Sequence, residues 1–186
     1  MESKHPLIEA DGDTRIGIGV ATGCDRAFIV DADADIEPDR LVPLVTRADI
    51  HAGAVQWSRK CVINVFSDNG SLVPLSAFPR LSRHFAAWET DIKGRHVAKR
   101  QATRWFRTID RVYPELTTRP KLLIPDIAGA AEVTFEPGLY YPHHNLYFVT
   151  SDTWDLEVLG GLLSSRVALF FVWSYAVKMR GGYLRF

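Results

Sequence analysis

The sequence predicts an α+β fold, a mixed and mostly antiparallel sheet carrying helices, as one domain over residues 1–186. Three observations lead there. Short runs rich in Val, Ile, Leu and aromatic residues recur along the chain with close turns between them, which implies antiparallel or mixed pairing. Helical spacing of apolar residues is confined to a stretch behind Pro79 and a longer one beyond residue 152. With 186 residues, 47% of them hydrophobic, the chain is long enough to bury a sizeable core.

The first element is a strand from Arg15 that runs into Gly17, Gly19 and Gly23 and emerges at Phe28-Ile-Val30. Three glycines after a strand suggest a dinucleotide loop, which requires a helix whose N-terminus faces the pyrophosphate. A second β-type run follows instead, so the segment reads as strand, turn and strand. Asp31, Asp33 and Asp35 come roughly half as far downstream as the ~20 residues expected of a ribose-binding acid. The acidic stretch 31–39, closed by Pro38, reads as a mobile loop. Residues 60–66 form the next strand, with a turn at 67–70.

Leu81, Phe85, Trp88 and Ile92 recur at helical spacing behind Pro79, predicting one amphipathic helix over residues 78–92. Strands follow at 121–124, 132–135 and 145–150, with a turn at 136–138. Helices are expected over 153–164, with Asp152 or Thr153 as cap and Glu157 in the first turns, and over 165–177. A short strand at 183–186 closes the chain.

Several function classes lose support. Residues 158–177 are mostly apolar, but Arg166 interrupts them, and the apolar run after it is short of the ~18 residues a spanning helix needs. The start lacks the basic-then-apolar pattern of a signal peptide. Cys24 and Cys61 form no CxxC pair, so neither a disulfide framework nor a zinc site is implied. His143 and His144 are adjacent, but neighbours in a strand face apart and no acidic or cysteine cluster accompanies them at ligand spacing, so no metal is expected. No serine lies in a Gly-x-Ser-x-Gly elbow, and no catalytic residue is assigned.

The net charge is zero, yet its distribution is uneven. Residues 80–121 hold eleven Lys and Arg against four Asp and Glu, whereas residues 1–79 hold seven against twelve. Cations neutralise phosphates and Arg reads guanine edges, so the basic stretch has the composition of a DNA-contacting segment. The basic residues of the 78–92 helix read as a solvated face. The candidates for DNA contact are Lys93, Arg95, Lys99, Arg100, Arg104, Arg107 and Arg111, with Arg180 in a late Arg-Gly-Gly turn. Trp105 suits either core packing or stacking on a base.

The string Gly17-Ile-Gly-Val-Ala-Thr-Gly-Cys-Asp-Arg-Ala-Phe-Ile-Val30 resembles the opening of the target recognition domain of TaqI-like adenine-specific DNA methyltransferases, the C-terminal specificity domain of type II restriction-modification enzymes. Further matches occur in the same order: Leu41-Val-Pro-Leu-Val-Thr-Arg-Ala-Asp-Ile50, Lys121-Leu-Leu-Ile-Pro-Asp-Ile127, Leu162-Leu-Ser-Ser165 and Gly181-Gly-Tyr-Leu-Arg-Phe186. They cover nearly the whole chain.

The resemblance implies sequence-specific recognition of double-stranded DNA in the cytoplasm, with turns at 22–26 and 180–182 adding contacts. It also implies a catalytic partner, a domain or subunit that binds S-adenosylmethionine and flips the adenine. Such enzymes hold the flipped base in an (Asn/Asp/Ser)-Pro-Pro-aromatic loop, and this chain contains no Pro-Pro pair. By itself it is expected to bind no cofactor and to methylate nothing. Two other readings stand beside this one: a small nucleotide-binding enzyme using residues 17–23, and a truncated remnant acting only as an interaction module.

Overall fold

A computed structural model describes residues 13–128, 132–175, 177–178 and 184–185. In chain order the strands are β1 (Arg15–Ile18), β2 (Ile29–Asp31), β3 (Leu41–Val45), β4 (Ile50–His51), β5 (Ala54–Val55), β6 (Lys60–Ile63), β7 (Lys121–Pro125), β8 (Ile127–Ala128), β9 (Thr134–Glu136), β10 (Tyr141–Pro142), β11 (Leu146–Thr150), β12 (Val177–Lys178) and β13 (Leu184–Arg185). The helices are α1 (Asp25–Phe28), α2 (Pro79–Ala87), α3 (Glu89–Gly94), α4 (His96–Arg100), α5 (Glu115–Thr118), α6 (Leu156–Leu163) and α7 (Arg166–Tyr175).

Two four-stranded sheets make the body, in the orders β1-β11-β7-β9 and β10-β3-β6-β2. All their pairings are antiparallel except β10 with β3, so the fold is α+β with mostly antiparallel sheets. The chain passes from one sheet to the other between Pro142 and Leu146. Alternation along the strands builds the core on both faces. In β6, Ile63 joins Phe28, Leu81, Phe85 and Ile92, while its neighbour Val62 joins Val20, Leu44 and Tyr141. In β7, Leu122 packs with Leu156 and Leu159 of α6, while Leu123 packs with Val45 and Leu146.

Several elements differ from their prediction. Between the glycines and Ile29 the chain makes the single-turn helix α1. The helix predicted over 78–92 divides at Trp88, whose backbone (φ −107°, ψ 8°) leaves the helical region and whose N–H bonds Phe85 O, the tightened last turn that ends a helix. The strand predicted over 60–66 stops at Ile63 because its partner does: Ile63 lies opposite Leu41, the first residue of β3. The 132–135 strand is observed one to two residues later, as β9. Asp155 caps α6, its carboxylate accepting from Glu157 N and Val158 N. Residues 152–154 instead turn around Ser151 Oγ, which takes the amides of Thr153 and Trp154. Helix α7 stops at Tyr175, and β12 then pairs with β13, which covers Leu184–Arg185 of the predicted last strand. Tyr183 and Phe186 lie outside the described residues.

The acidic stretch 31–39 is tied down rather than mobile. Glu37 accepts the first free amides of α2, from Arg80 and Leu81, at 2.8 and 2.9 Å. Burial works to raise its pKa, but those two amides outweigh it and hold the carboxyl below its ordinary value. Asp35 pairs with Arg80 and Arg83, Asp31 pairs with Lys60, and Ile36 is buried in the core.

Asp49 is the buried carboxylate that closes the 46–58 region. Its side chain accepts from Thr46 N, Thr46 Oγ1 and Ser58 N at 2.7–2.8 Å, with only 1% of the residue exposed. Burial pushes its pKa up, and the hydrogen bonds from Ser58 and Thr46 more than reverse that, leaving it below the usual 3.8. A carboxyl depressed on folding contributes stability that is full above its unfolded pKa and lost as pH falls through the folded one. Asp49→Asn turns an amide NH2 toward these donors. It is expected to cost about 2–3 kcal/mol at neutral pH and to flatten the acid limb of stability below about pH 4, read by urea melts across pH.

Candidate nucleic-acid interface

The glycine loop is a packing device. A Cβ on Gly19 would stand 2.3 Å from the carbonyl oxygens of Pro142 and His143, so only glycine lets β1 run against the β10–β11 connection. Four of the loop amides already have acceptors: Gly19 N on Leu146 O, Val20 N on Pro142 O, Ala21 N on Asp110 Oδ2 and Cys24 N on Thr22 Oγ1. The helix after the loop has one turn and begins with the carboxylate of Asp25. A phosphate would meet occupied amides and a negative charge, so the nucleotide reading finds no cradle here; the 22–26 turn exposes both Asp25 and Arg26.

The basic segment sorts into two groups. Lys99 and Arg100 at the end of α4, and Arg104 in the 3-10 turn Ala102–Arg104, are exposed, and their side chains have no hydrogen-bond or ion-pair partner among the described residues. Ala98 and Phe106 are buried beneath them, which fixes the ridge on the core. The other candidates are engaged internally. Arg95 donates to the carbonyls of Ile92, Thr22, Trp105 and Arg107, and burial lowers its pKa from the usual value. Arg107 bonds Thr108 O, Gln101 Oε1 and Ile109 O. Arg111 donates to Asp68 O and lies 4.8 Å from the ring centre of Tyr113. Lys93 pairs with Glu89 and sits over Trp105, whose ring packs edge-on against Phe85 and Phe106 in the core. Arg180 lies outside the described residues.

Two features were not read from the sequence. Beside Arg111 run two adjoining clefts of about 250 and 450 Å³ that share Tyr113, Leu116 and Phe148, with Arg15 and Arg119 on the larger one. The aromatic at 113 among arginines was the available signal, but only the fold brings β1 and α5 against it. The second feature corrects the expectation for the paired histidines. β10 stops at Pro142, so His143 and His144 do not face apart; their ring centres are 4.0 Å apart, and Asp25 Oδ2 lies 3.2 Å from His143 Nε2.

No helix among the described residues is long and apolar enough to cross a membrane. No protein-family model matches the chain. Over its full length it is similar to three type II methyltransferases: M.PaeR7I of Pseudomonas aeruginosa at 54% identity, M.BstVI of Geobacillus stearothermophilus at 50% and M.XhoI of Xanthomonas vasicola at 46%. The chain spans about a third of each, 32–34% of their lengths. Among solved structures, it shares its fold with part of the type IIL restriction-modification enzyme MmeI, solved in complex with DNA. The TM-score is 0.57 at 13% identity, covering 81% of this chain and 20% of that one.

Proposed function

We propose that this chain, which matches the C-terminal third of type II methyltransferases along its whole length, is the target recognition domain of an adenine-specific DNA methyltransferase in a restriction-modification system. The observation that carries this reading is the ridge of Lys99, Arg100 and Arg104, three exposed cations whose side chains have no partner among the described residues, on a segment anchored to the core. Such a ridge meets the phosphates of a duplex, and the counterions it displaces drive binding. Phosphate contacts set the register, and side chains nearby read base edges in the groove.

Arg95, Arg107 and Arg111 hold the platform in place, and Lys93, paired with Glu89, sits at its margin. The catalytic part, held elsewhere in the longer protein or in a separate subunit, binds S-adenosylmethionine and flips the adenine. The glycine loop of this chain does not fit that cofactor, since four of its amides are engaged and the exposed carboxylate of Asp25 follows them. We place the catalytic part on the apolar outer face of α6 and α7, where Val158, Leu162, Val167 and Phe170 are more than half exposed. The relatives' further two thirds supply chain to cover it. Residues 1–186 act as one domain in this reading, in the cytoplasm where such a system works.

The test is a salt titration of duplex-DNA binding. The intact chain is expected to lose affinity steeply with salt, and the triple variant Lys99→Ala, Arg100→Ala, Arg104→Ala to lower that slope by up to about 2.7, roughly 0.9 per phosphate contact. Arg107→Ala, whose guanidinium is engaged internally, is expected to leave the slope unchanged. No binding by the intact chain at low salt, or an unaltered slope in the triple variant, overturns the reading.

A further inference from the structure

Three side chains from distant parts of the sequence meet beside the glycine loop. Asp25, His143 and His144 each bring a metal-binding atom to a spot where all three atoms lie within 4.8 Å of one another. The backbone sets each in place. Gly23, at φ +77°, turns the chain into α1, and Thr22 Oγ1 donates to Asp25 Oδ1, which leaves Oδ2 toward His143 Nε2. Beyond Pro142, the His143 amide donates to Val45 O of β3 and the His144 amide to Val20 O, while Leu146 N returns to His143 O. His143 thus makes a single parallel bridge with Val20 and His144 begins the turn back to Leu146, with the two ring centres 4.0 Å apart.

We propose that Asp25, His143 and His144 form a three-ligand site for a divalent transition-metal ion of the zinc class, with a fourth position open to water. Two ligands at 2.0–2.1 Å from a tetrahedral ion stand roughly 3.3 Å apart. Asp25 Oδ2 and His143 Nε2 are already at 3.2 Å. The ring of His144 is exposed and free to swing into the remaining distance, and Asp25 is 46% exposed, so an ion has a path in. Two imidazoles and one carboxylate suit zinc or its neighbours in the first transition row, whereas calcium and magnesium prefer oxygen alone. Thr22, holding the far oxygen of Asp25, supplies the outer-shell contact such carboxylates receive.

The pair of His143 and Asp25 by itself leaves one fact without a reason. His144 brings a second imidazole against the first with no partner of its own among the described hydrogen bonds. An ion would staple the glycine loop to the turn joining the two sheets, which is a different role from the cationic ridge and does not depend on DNA binding.

The test uses the full chain, stripped with a chelator and titrated with Co2+ as spectroscopic probe and Zn2+ by calorimetry. One ion per chain is expected, with the absorption of tetrahedral Co2+ displaced by Zn2+ and a rise in melting temperature. His144→Ala removes an exposed ring, so the metal-free variant is expected to melt like the parent while binding at least tenfold more weakly and losing the metal-dependent rise. Asp25→Asn is expected to weaken binding likewise, and His96→Ala, an exposed histidine on the basic segment, to leave it unchanged. Absence of one-to-one binding, or equal binding by His144→Ala, overturns the proposal.

Discussion

Lys121→Met is expected to destabilise the domain by about 3–5 kcal/mol, enough to bring a marginally stable protein to the edge of unfolding. Lys121 stands directly opposite Glu136 in the β7–β9 ladder, and both side chains are fully buried. Its ammonium donates to Glu136 Oε2, to Tyr140 O at 3.1 Å and to Thr117 O at 3.4 Å. The other carboxylate oxygen accepts from Gly138 N and Leu139 N, so the pair ties the turn after β9 to the middle of the sheet. Removing only the cation leaves a carboxylate without its counter-charge in the interior, and that, more than the lost attraction, sets the size of the effect.

The double variant Lys121→Met, Glu136→Gln is expected to recover more than half of the loss. Glutamine is neutral and still offers an oxygen to the turn amides. Urea midpoints of the four chains form a double-mutant cycle that reads the coupling directly. A double variant as unstable as Lys121→Met would show that packing, and not the charge, is what the pair supplies. Lys121 also shows why counting charges along the sequence overstates the basic face, since it belongs to the tally for residues 80–121 yet never meets solvent.

Arg95→Ala is expected to cost about 3 kcal/mol or more in stability and to abolish DNA binding by loosening the platform. Four N–H groups of its guanidinium reach carbonyls in three places: Ile92 at the end of α3, Thr22 in the glycine loop, and Trp105 and Arg107 beside the exposed ridge. Its plane also lies 4.9 Å from the ring centre of Phe28. Lysine carries the same charge but cannot span that fork, so Arg95→Lys is expected to lose most of the same stability.

Arg100→Ala should be close to neutral in a thermal melt and should instead lower the salt slope of DNA binding. Melting curves and salt titrations of these variants separate an arginine that builds the surface from one that uses it. A fully stable Arg95→Ala that lost about one phosphate contact in the slope would reverse that assignment.

The order of strands along the chain and the positions of the main helices were legible because they rest on local signals. Leu81, Phe85 and Ile92 announce their buried face through helical spacing, and the turn at 67–70 announces itself through Asn69-Gly70. Boundaries were less legible, since β6 ends where β3 ceases to pair with it and the cap of α6 falls to Asp155 only because Ser151 has taken the preceding amides. The stretch 31–39 looked mobile because five acids in nine residues repel one another in one dimension. Its anchors, Arg80, Arg83 and the amides at the start of α2, lie more than forty residues away.

The same division separates the candidate sites. The sequence by itself determined that residues 93–111 are rich in cations, that the fold is α+β and that the glycines lie between β-type runs, because these depend on composition and short-range periodicity. Only the tertiary structure decided which cations remain available: Arg95 reaches back 73 residues to Thr22, while the side chains of Lys99, Arg100 and Arg104 meet no partner among the described residues. It alone brought Asp25 to His143 across 118 residues. A side chain's type sets what chemistry it offers, but whether that chemistry faces water, a carbonyl or another ligand depends on long-range packing, which no local pattern encodes.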